Sequence, residues 1–244
     1  MPSCSVVNIK VDFVVPSRDK PNATLLHILE NMPYAGEIII TREKPLSIAR
    51  KRAVLKAKTE WVAMVDDDVL LPDNWLQEVA KAIAPDVGAI GTVTLHKNKH
   101  VAAYDRVVGT IVKLNKIDTS PHINNIIIRR KVMENYNPPL LFFGEDHYFK
   151  RYVQKSGYVW KVLPFVGATH LGSSKNFVTI GIAYRRYGHF GLFNLIRRIG
   201  ARSIFTPFAA LINLSLKTFV YLTKLNIEFI AGWVKELVAE KLLN

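Results

Sequence analysis

Trp61-Val62-Ala63-Met64-Val65-Asp66-Asp67-Asp68 is the stretch that decides the fold: five apolar residues run straight into three consecutive acids. An apolar run of this length, rich in Val, Trp and Ala and closed by a polar cluster, reads as a buried strand whose C-terminal end emerges at a sheet edge. Open α/β sheets place their ligands at that edge. Three adjacent carboxylates repel one another unless a cation neutralises them. Asp66 and Asp68, on the same side of an extended chain, suit a hard divalent metal with oxygen ligands; a solvated acidic turn through Val69-Leu70-Leu71-Pro72 is the other reading.

Working outward from that strand, the pattern alternates. Val11 to Val15 is a strand closed by the turn Pro16-Ser17-Arg18-Asp19. Asn22 or Thr24 caps a helix to about Glu30, and Glu37 to Ile40 is a second strand. Ser47 is the expected N-cap of a basic helix over residues 48–57. Asn74 to Ile83 is a helix and Gly88 to Thr94 a fourth strand. This β-α-β-α-β-α-β order implies a mostly parallel sheet with helices on both faces. Ala102 to Leu114 and Asn124 to Arg129 read as strands with no helix between them, hence mixed or antiparallel additions. Asp146 to Lys155 reads as a helix stopped at Ser156-Gly157, followed by a strand over residues 158–162.

The chain's 244 residues suffice for one large domain or one domain with an appendage, and 49% hydrophobic content excludes a disordered chain. The single cysteine, Cys4, excludes an intrachain disulfide and a cysteine-based zinc site. Lys10 and Asp12 interrupt the only candidate signal segment, so a cytosolic setting is expected. The net charge of +13 favours a polyanionic partner. It is segregated: no Asp or Glu lies between His147 and Ile227, while Lys150, Arg151, Lys155, Lys175, Arg185, Arg197, Arg198, Lys217 and Lys224 do. Nucleotide phosphates and anionic lipid headgroups both fit such a surface.

Beyond the loop Gly172-Ser173-Ser174 the character changes. Leu192, Leu195, Ile196 and Ile199 recur at helical spacing, as do Phe229-Ile230, Trp233-Val234 and Leu237-Val238 opposite Lys235, Glu236 and Glu240. The longest charge-free stretch, residues 203–216, contains Pro207 and falls short of the ~20 apolar residues a membrane span requires. The expected division is a catalytic domain over residues 1–174 and a basic, amphipathic, membrane-associating helical region over 175–244, attached in-plane as a peripheral or monotopic element. Packing of these faces on the catalytic domain or in a dimer is the competing expectation.

Taken together, the chain resembles family 2 glycosyltransferases of the GT-A fold over roughly residues 8 to 172. The resemblance rests on Val11-Asp12-Phe13-Val14-Val15-Pro16-Ser17, Ala49-Arg50-Lys51, Val65-Asp66-Asp67-Asp68 with Pro72 behind it, Phe143-Gly144-Glu145-Asp146 before a helix, Gly157-Tyr158 and His170. It implies an Asp-x-Asp element, Asp66 and Asp68, holding Mn2+ or Mg2+ on the diphosphate of a nucleotide sugar, with Asp67 meeting ribose or sugar and His170 as a further metal ligand. It implies Asp146 as catalytic base, with Glu145 beside it, for inverting transfer. Donor contacts would come from Pro16, Ser17, Arg18, Asp19, Thr41, Arg42, Arg50, Asp66 and Asp67. The family's acidic doublet at the end of the second strand is missing here, leaving Thr41, Arg42 or Asp19 for the base. Arg129, Arg130 and Lys175 are expected to hold acceptor phosphate.

The compact domain with a basic tail is similar to polyprenol-phosphate mannose synthases and to mannosyltransferases acting on lipid-linked glycans. That implies a GDP-mannose donor, a polyprenol-phosphate or glycolipid acceptor, and a place at the cytoplasmic face of the membrane. Two other classes compete. A phosphatase using Asp66 and Asp68 would want Thr or Val where Leu70 stands. A basic nucleic-acid binder would interleave aromatics with cations on its sheet, whereas the aromatics here cluster near Phe142-Phe143 and in the tail; no nucleic-acid partner is expected.

Overall fold

The computed structural model describes residues 9–114, 123–139, 145–172, 177–187 and 192–243. The elements run β1 (Val11–Pro16), α1 (Ala23–Asn31), β2 (Ala35–Thr41), α2 (Leu46–Lys56), β3 (Trp61–Val65), β4 (Val69–Leu70), α3 (Trp75–Ala80), β5 (Val87–His96) and α4 (Lys99–Leu114). They continue with β6 (Asn125–Arg129), α5 (Arg130–Glu134), α6 (Glu145–Lys155), β7 (Val159–His170), α7 (Phe177–Tyr187), α8 (Leu192–Ile212) and α9 (Leu216–Leu243).

One seven-stranded mixed sheet has the order β2-β1-β3-β6-β5-β7-β4. β1 lies parallel to β2 and β3, while β6 is antiparallel to β3 and β5. The apolar runs are continuous because both faces of the sheet are covered. Val11, Phe13, Val15, Trp61, Ala63 and Val65 enter one core, and Val14, Val62, Met64, Ile126 and Ile128 enter the other. Successive residues of each strand thus serve opposite layers, as the pleat requires. Between them Asp12, 2% exposed, ties three segments together: its carboxylate accepts the backbone N–H of Glu37, Lys58 and Thr59.

Several local expectations hold. The Asn22 carboxamide oxygen accepts from the N–H of Thr24 and Leu25 at the start of α1. Gly157 takes φ +82° at the end of α6, the left-handed turn that a glycine C-cap supplies. Two do not hold. The residue capping α2 is Pro45; Ser47 lies inside the helix and its hydroxyl donates to the Pro139 carbonyl at 3.1 Å. The stretch 102–114 is helix α4, not a strand. Its Val101, Tyr104, Ala103 and Val107 recur at three- and four-residue spacing toward a helical core, and Asn98 accepts from the N–H of His100 and Val101 at its start.

The chain divides into two compact units. The first comprises residues 1–94, 120–140 and 145–170 and carries the sheet; the second comprises 95–119, 141–144 and 171–244. In the second unit Ala103 and Val107 of α4 pack with Ala209 of α8 and Leu222 and Leu225 of α9. α7 and α9 meet at backbone distance. A Cβ on Gly181 would strike the Phe229 carbonyl, and one on Gly232 the Val178 carbonyl. The tail helices differ from the amphipathic expectation. Glu236, expected outward, is buried at 7%, while Val234 and Val238 are exposed. Among the described residues no helix is long and apolar enough to cross a membrane.

Candidate active site

The three acids after β3 each have a different partner. The backbone turn that separates them is closed by Val69 N–H donating to the Asp66 carbonyl at 3.1 Å. Asp66 pairs with Arg50 of α2. Asp67 accepts the Ser17 hydroxyl at 2.6 Å, from the end of β1. The Asp68 carboxylate lies 3.4 Å from His170 Nε2. The last pair follows from sheet register, because β4 and β7 match Val69 with His170 and so bring the imidazole beside the preceding carboxylate.

Arg50 is the hub. Its guanidinium is buried at 5% exposure and contacts both Asp66 and Glu145, the first residue of α6. The planar fork of an arginine can serve two carboxylates at once. Arg50 Nε and Glu145 Oε2 are buried without a hydrogen-bond partner among the described residues. Arg50 was expected to touch the donor. Its guanidinium joins Asp66, just after β3, to Glu145 at the start of α6, because each charge would be costly to bury alone.

Asp146 follows Glu145 and accepts the N–H of His147 at 3.1 Å. Tyr136 stands by it. Burial, and secondarily the negative charge of Asp146, push the phenol up to about 12, so it stays a neutral O–H beside the carboxylate. Tyr136 is fixed by ring contacts with Phe149 and Tyr152 at 5.0 and 4.9 Å.

At the end of β1, Pro16 is in register with Thr41, and Ser17 N–H donates to the Thr41 carbonyl at 2.9 Å. Thr41 is buried, whereas Arg18, Asp19 and Arg42 are exposed. Glu43, the acid nearest the missing doublet, is held on α2 by Arg52 at 2.8 Å, whose hydrogen bond draws its carboxyl below the ordinary glutamate value.

Arg129 and Arg130 require correction. Strand β6 runs antiparallel to β3, pairing Asn125 with Val65 and Arg129 with Trp61. Four residues of extended chain, about 13 Å, therefore separate Arg129 from the strand end that carries the acids. Its guanidinium donates to the carbonyls of Val87 and Ala84, pairs with Glu60 and lies 4.8 Å from the Trp61 ring. Arg130 N–H donates to the Glu60 carbonyl at that same end. Arg129 closes the far end of the sheet and does not face the acids, and the Arg130 backbone lies at that same end. Lys175 and the Phe142-Phe143-Gly144 segment lie outside the described residues.

The same register exposes two residues that sequence reasoning missed. Asn125 opens β6 and Asn124 precedes it beside Asp66, whose N–H donates to the Asn124 carbonyl at 3.2 Å. Thr94 donates its hydroxyl to Asn124 Oδ1 and accepts from the Asn125 amide at 2.9 Å. The available signal was an amide pair at the mouth of the apolar run Ile126-Ile127-Ile128.

The donor chemistry fits a divalent cation. Asp68 and His170 supply one oxygen and one nitrogen side by side, while Asp66, two residues earlier, is paired with Arg50. Among the described residues no third His, Cys, Asp or Glu completes a metal cluster. A cation there needs the rest of its shell from elsewhere, as an ion bound together with a diphosphate does.

No curated protein matches the chain in sequence at a significant level. Among solved structures it is similar to the mannosyltransferase PcManGT from Pyrobaculum calidifontis, in complex with GDP-Man and Mn2+. That match has a TM-score of 0.59 at 16% identity and covers 94% of this chain and 87% of that one. It is also similar to glucosyl-3-phosphoglycerate synthase from Mycobacterium tuberculosis, in complex with Mn2+, UDP and glucosyl-3-phosphoglycerate, with a TM-score of 0.53 at 10% identity over 79% of this chain and 80% of that one. At these identities the likeness is one of fold, the GT-A fold. The model of "Glycosyl transferase family 2" matches residues 16–140, which is 125 of the 244 residues. With over half its length matched and the acidic strand end inside that span, the chain belongs to glycosyl transferase family 2 and is a glycosyltransferase.

Proposed function

We propose that the enzyme transfers mannose from GDP-mannose, with inversion, to a lipid-linked acceptor, either a polyprenol phosphate or a glycolipid, at the cytoplasmic face of a membrane. The observation that carries the donor half is the convergence at one sheet edge of Asp68 with His170, Asp66 with Arg50, and Arg50 with Glu145. The similar mannosyltransferase bound to GDP-Man and Mn2+ supports the choice of nucleotide and ion. The acid-free, cation-bearing stretch of residues 147–227 supports an anionic lipid acceptor.

Asp68 and His170 would hold Mn2+ or Mg2+, with Asp66 of the same acidic turn paired to Arg50. A cation bound there supplies Lewis-acid neutralisation of the leaving diphosphate. The chain's own residues do the rest. Ser17 fixes Asp67 for ribose or sugar. Arg50 keeps Asp66 and the start of α6 in one geometry. In the transfer the acceptor oxygen bonds to the anomeric carbon as the bond from that carbon to the phosphate oxygen breaks, and its electron pair leaves with the nucleoside diphosphate. A hydroxyl acceptor gives its proton to Asp146. An ionised phosphate acceptor has none to give, and there Asp146 orients it.

The test is transfer of labelled mannose from GDP-mannose, with Mn2+, into polyprenyl phosphate or a glycolipid. Asp146→Asn is expected to lower kcat by about 10²–10⁴ for a hydroxyl acceptor while leaving donor binding intact. Label appearing in no lipid, with UDP- and dTDP-sugars equally silent, would overturn the reading.

A further inference from the structure

We infer that the turn end of the α8–α9 hairpin is the element that inserts into a membrane, lying in one leaflet of an anionic bilayer. α9 is apolar on two sides. Leu222, Leu225, Phe229 and Trp233 face inward and are buried, yet Leu216, Val220, Ile227 and Val234 form a second stripe that is exposed. A helix that buries one apolar stripe and exposes a second has more apolar surface than its own core covers. α8 repeats the pattern, with Ala209 buried while Ile204, Phe208, Leu211 and Ile212 are 53–65% exposed at three- and four-residue spacing. The two stripes meet at the turn, where Leu214 is 92% exposed and takes φ +45°.

Monomeric soluble proteins rarely show contiguous apolar patches larger than a few hundred Å². The inner side of the same turn is tied down. Asn213 donates to the Lys99 carbonyl at 3.2 Å, and His100 Nδ1 lies 2.7 Å from the Thr218 hydroxyl. The apolar face is therefore presented by a braced end of the hairpin.

Charge selects the occupant. The cations Lys217 and Lys224 share the exposed stripe of α9 with Val220 and Ile227, at positions three and four residues apart. Glu228 lies 3.8 Å from Lys224. An apolar seam edged by lysines on an acid-free stretch matches acyl chains edged by headgroup phosphates. No described helix is both long and apolar enough to cross, which suits an in-plane contact with one leaflet. This deepens the membrane part of the function proposed above and is independent of donor and metal.

The experiment is flotation of the full chain with phosphatidylcholine vesicles, with and without phosphatidylglycerol, and without acceptor or nucleotide sugar. Binding is expected on the anionic vesicles. It should fall about tenfold or more in Leu211→Glu/Leu216→Glu, and about thirtyfold in Lys217→Ala/Lys224→Ala. Circular dichroism of both variants should be unchanged, since all four side chains are exposed. Binding untouched by these substitutions would place the contact elsewhere and overturn the inference. So would a dimer, seen by sedimentation without vesicles, that Leu211→Glu/Leu216→Glu dissociates while vesicle binding is absent. Vesicle binding without mannose transfer would sink the donor reading alone.

Discussion

Arg50 illustrates how a single side chain can couple two motifs that are 79 residues apart in the chain, Asp66 and Glu145. Removing a buried cation from two carboxylates leaves charge uncompensated, at a cost of about 3–5 kcal/mol. Arg50→Met is therefore expected to lower the urea midpoint and abolish transfer, whereas Arg50→Lys, a point charge without the fork, should retain more stability yet lose kcat. Equal stability of Arg50→Met and wild type would remove Arg50 from this role. Asp12 makes a contrasting case, structural and far from chemistry. Burial raises its carboxyl, but the N–H donors of Glu37, Lys58 and Thr59 together outweigh that, and the net direction is down. A depressed folded-state value means stability that is present above the unfolded value near 3.9 and is lost as pH falls through the folded one. Asp12→Asn, which turns an amide N–H₂ toward one of those donors, should cost about 1–3 kcal/mol at neutral pH. Its deficit against wild type should shrink in urea titrations as pH falls below the ordinary aspartate value and through the lower folded-state one. A deficit constant across that range would show that the ionised form is not what the site stabilises.

Two helices of the second unit test packing with one substitution. Gly181 and Gly232 hold α7 and α9 at backbone contact, whereas nothing lies within 4 Å of a Cβ on Gly200 in α8. Gly181→Ala or Gly232→Ala should push the helices apart and destabilise by about 1–3 kcal/mol. Gly200→Ala should stabilise by about 0.5–1 kcal/mol through helix propensity alone. Thermal melts showing the same sign at all three positions would contradict the packing. Such contacts were illegible in the sequence, because closeness between helices depends on what faces a glycine, not on the glycine. The first unit was more legible. Apolar runs ending in polar turns define β1, β3 and β6 whatever lies around them. The stretch 102–114 misled because its β-branched residues read as strand, while the Asn98 cap and the three- and four-residue spacing of Val101, Tyr104 and Val107 carried the helix. Ser47 misled because the helix begins just before it, after Pro45, and its hydroxyl serves the Pro139 carbonyl. At the site, Asp66, Asp67, Asp68 and His170 were legible as a motif, and Asp68 and His170 do face each other. Arg129 was misplaced because the sequence does not state strand direction, and one reversal moves a residue to the far end of the sheet.

The molecule joins opposite charge demands in one chain: carboxylates gathered at the sheet edge and an acid-free stretch from 147 to 227. Carboxylates at a site meant for a nucleoside diphosphate would repel it, so donor binding should be weak until a divalent cation offsets the charge. That dependence reads out in the stability of the protein itself, since a ligand bound only to the folded state stabilises it by about 2.7 kcal/mol at 100 times its Kd. GDP-mannose with Mn2+ is expected to raise the melting temperature well beyond the sum of the two added separately. Asp68 is the residue on which to test it. Its side chain is 38% exposed and its described ion pair is with His170 alone, so Asp68→Ala should leave the unliganded melt nearly unchanged. The same variant should lose the metal-dependent increment and keep whatever nucleotide binds without metal. Should Asp68→Ala retain the whole increment, the cation is held elsewhere. Should neither protein respond to metal with any nucleotide sugar, the acids at the end of β3 serve the fold and not the donor.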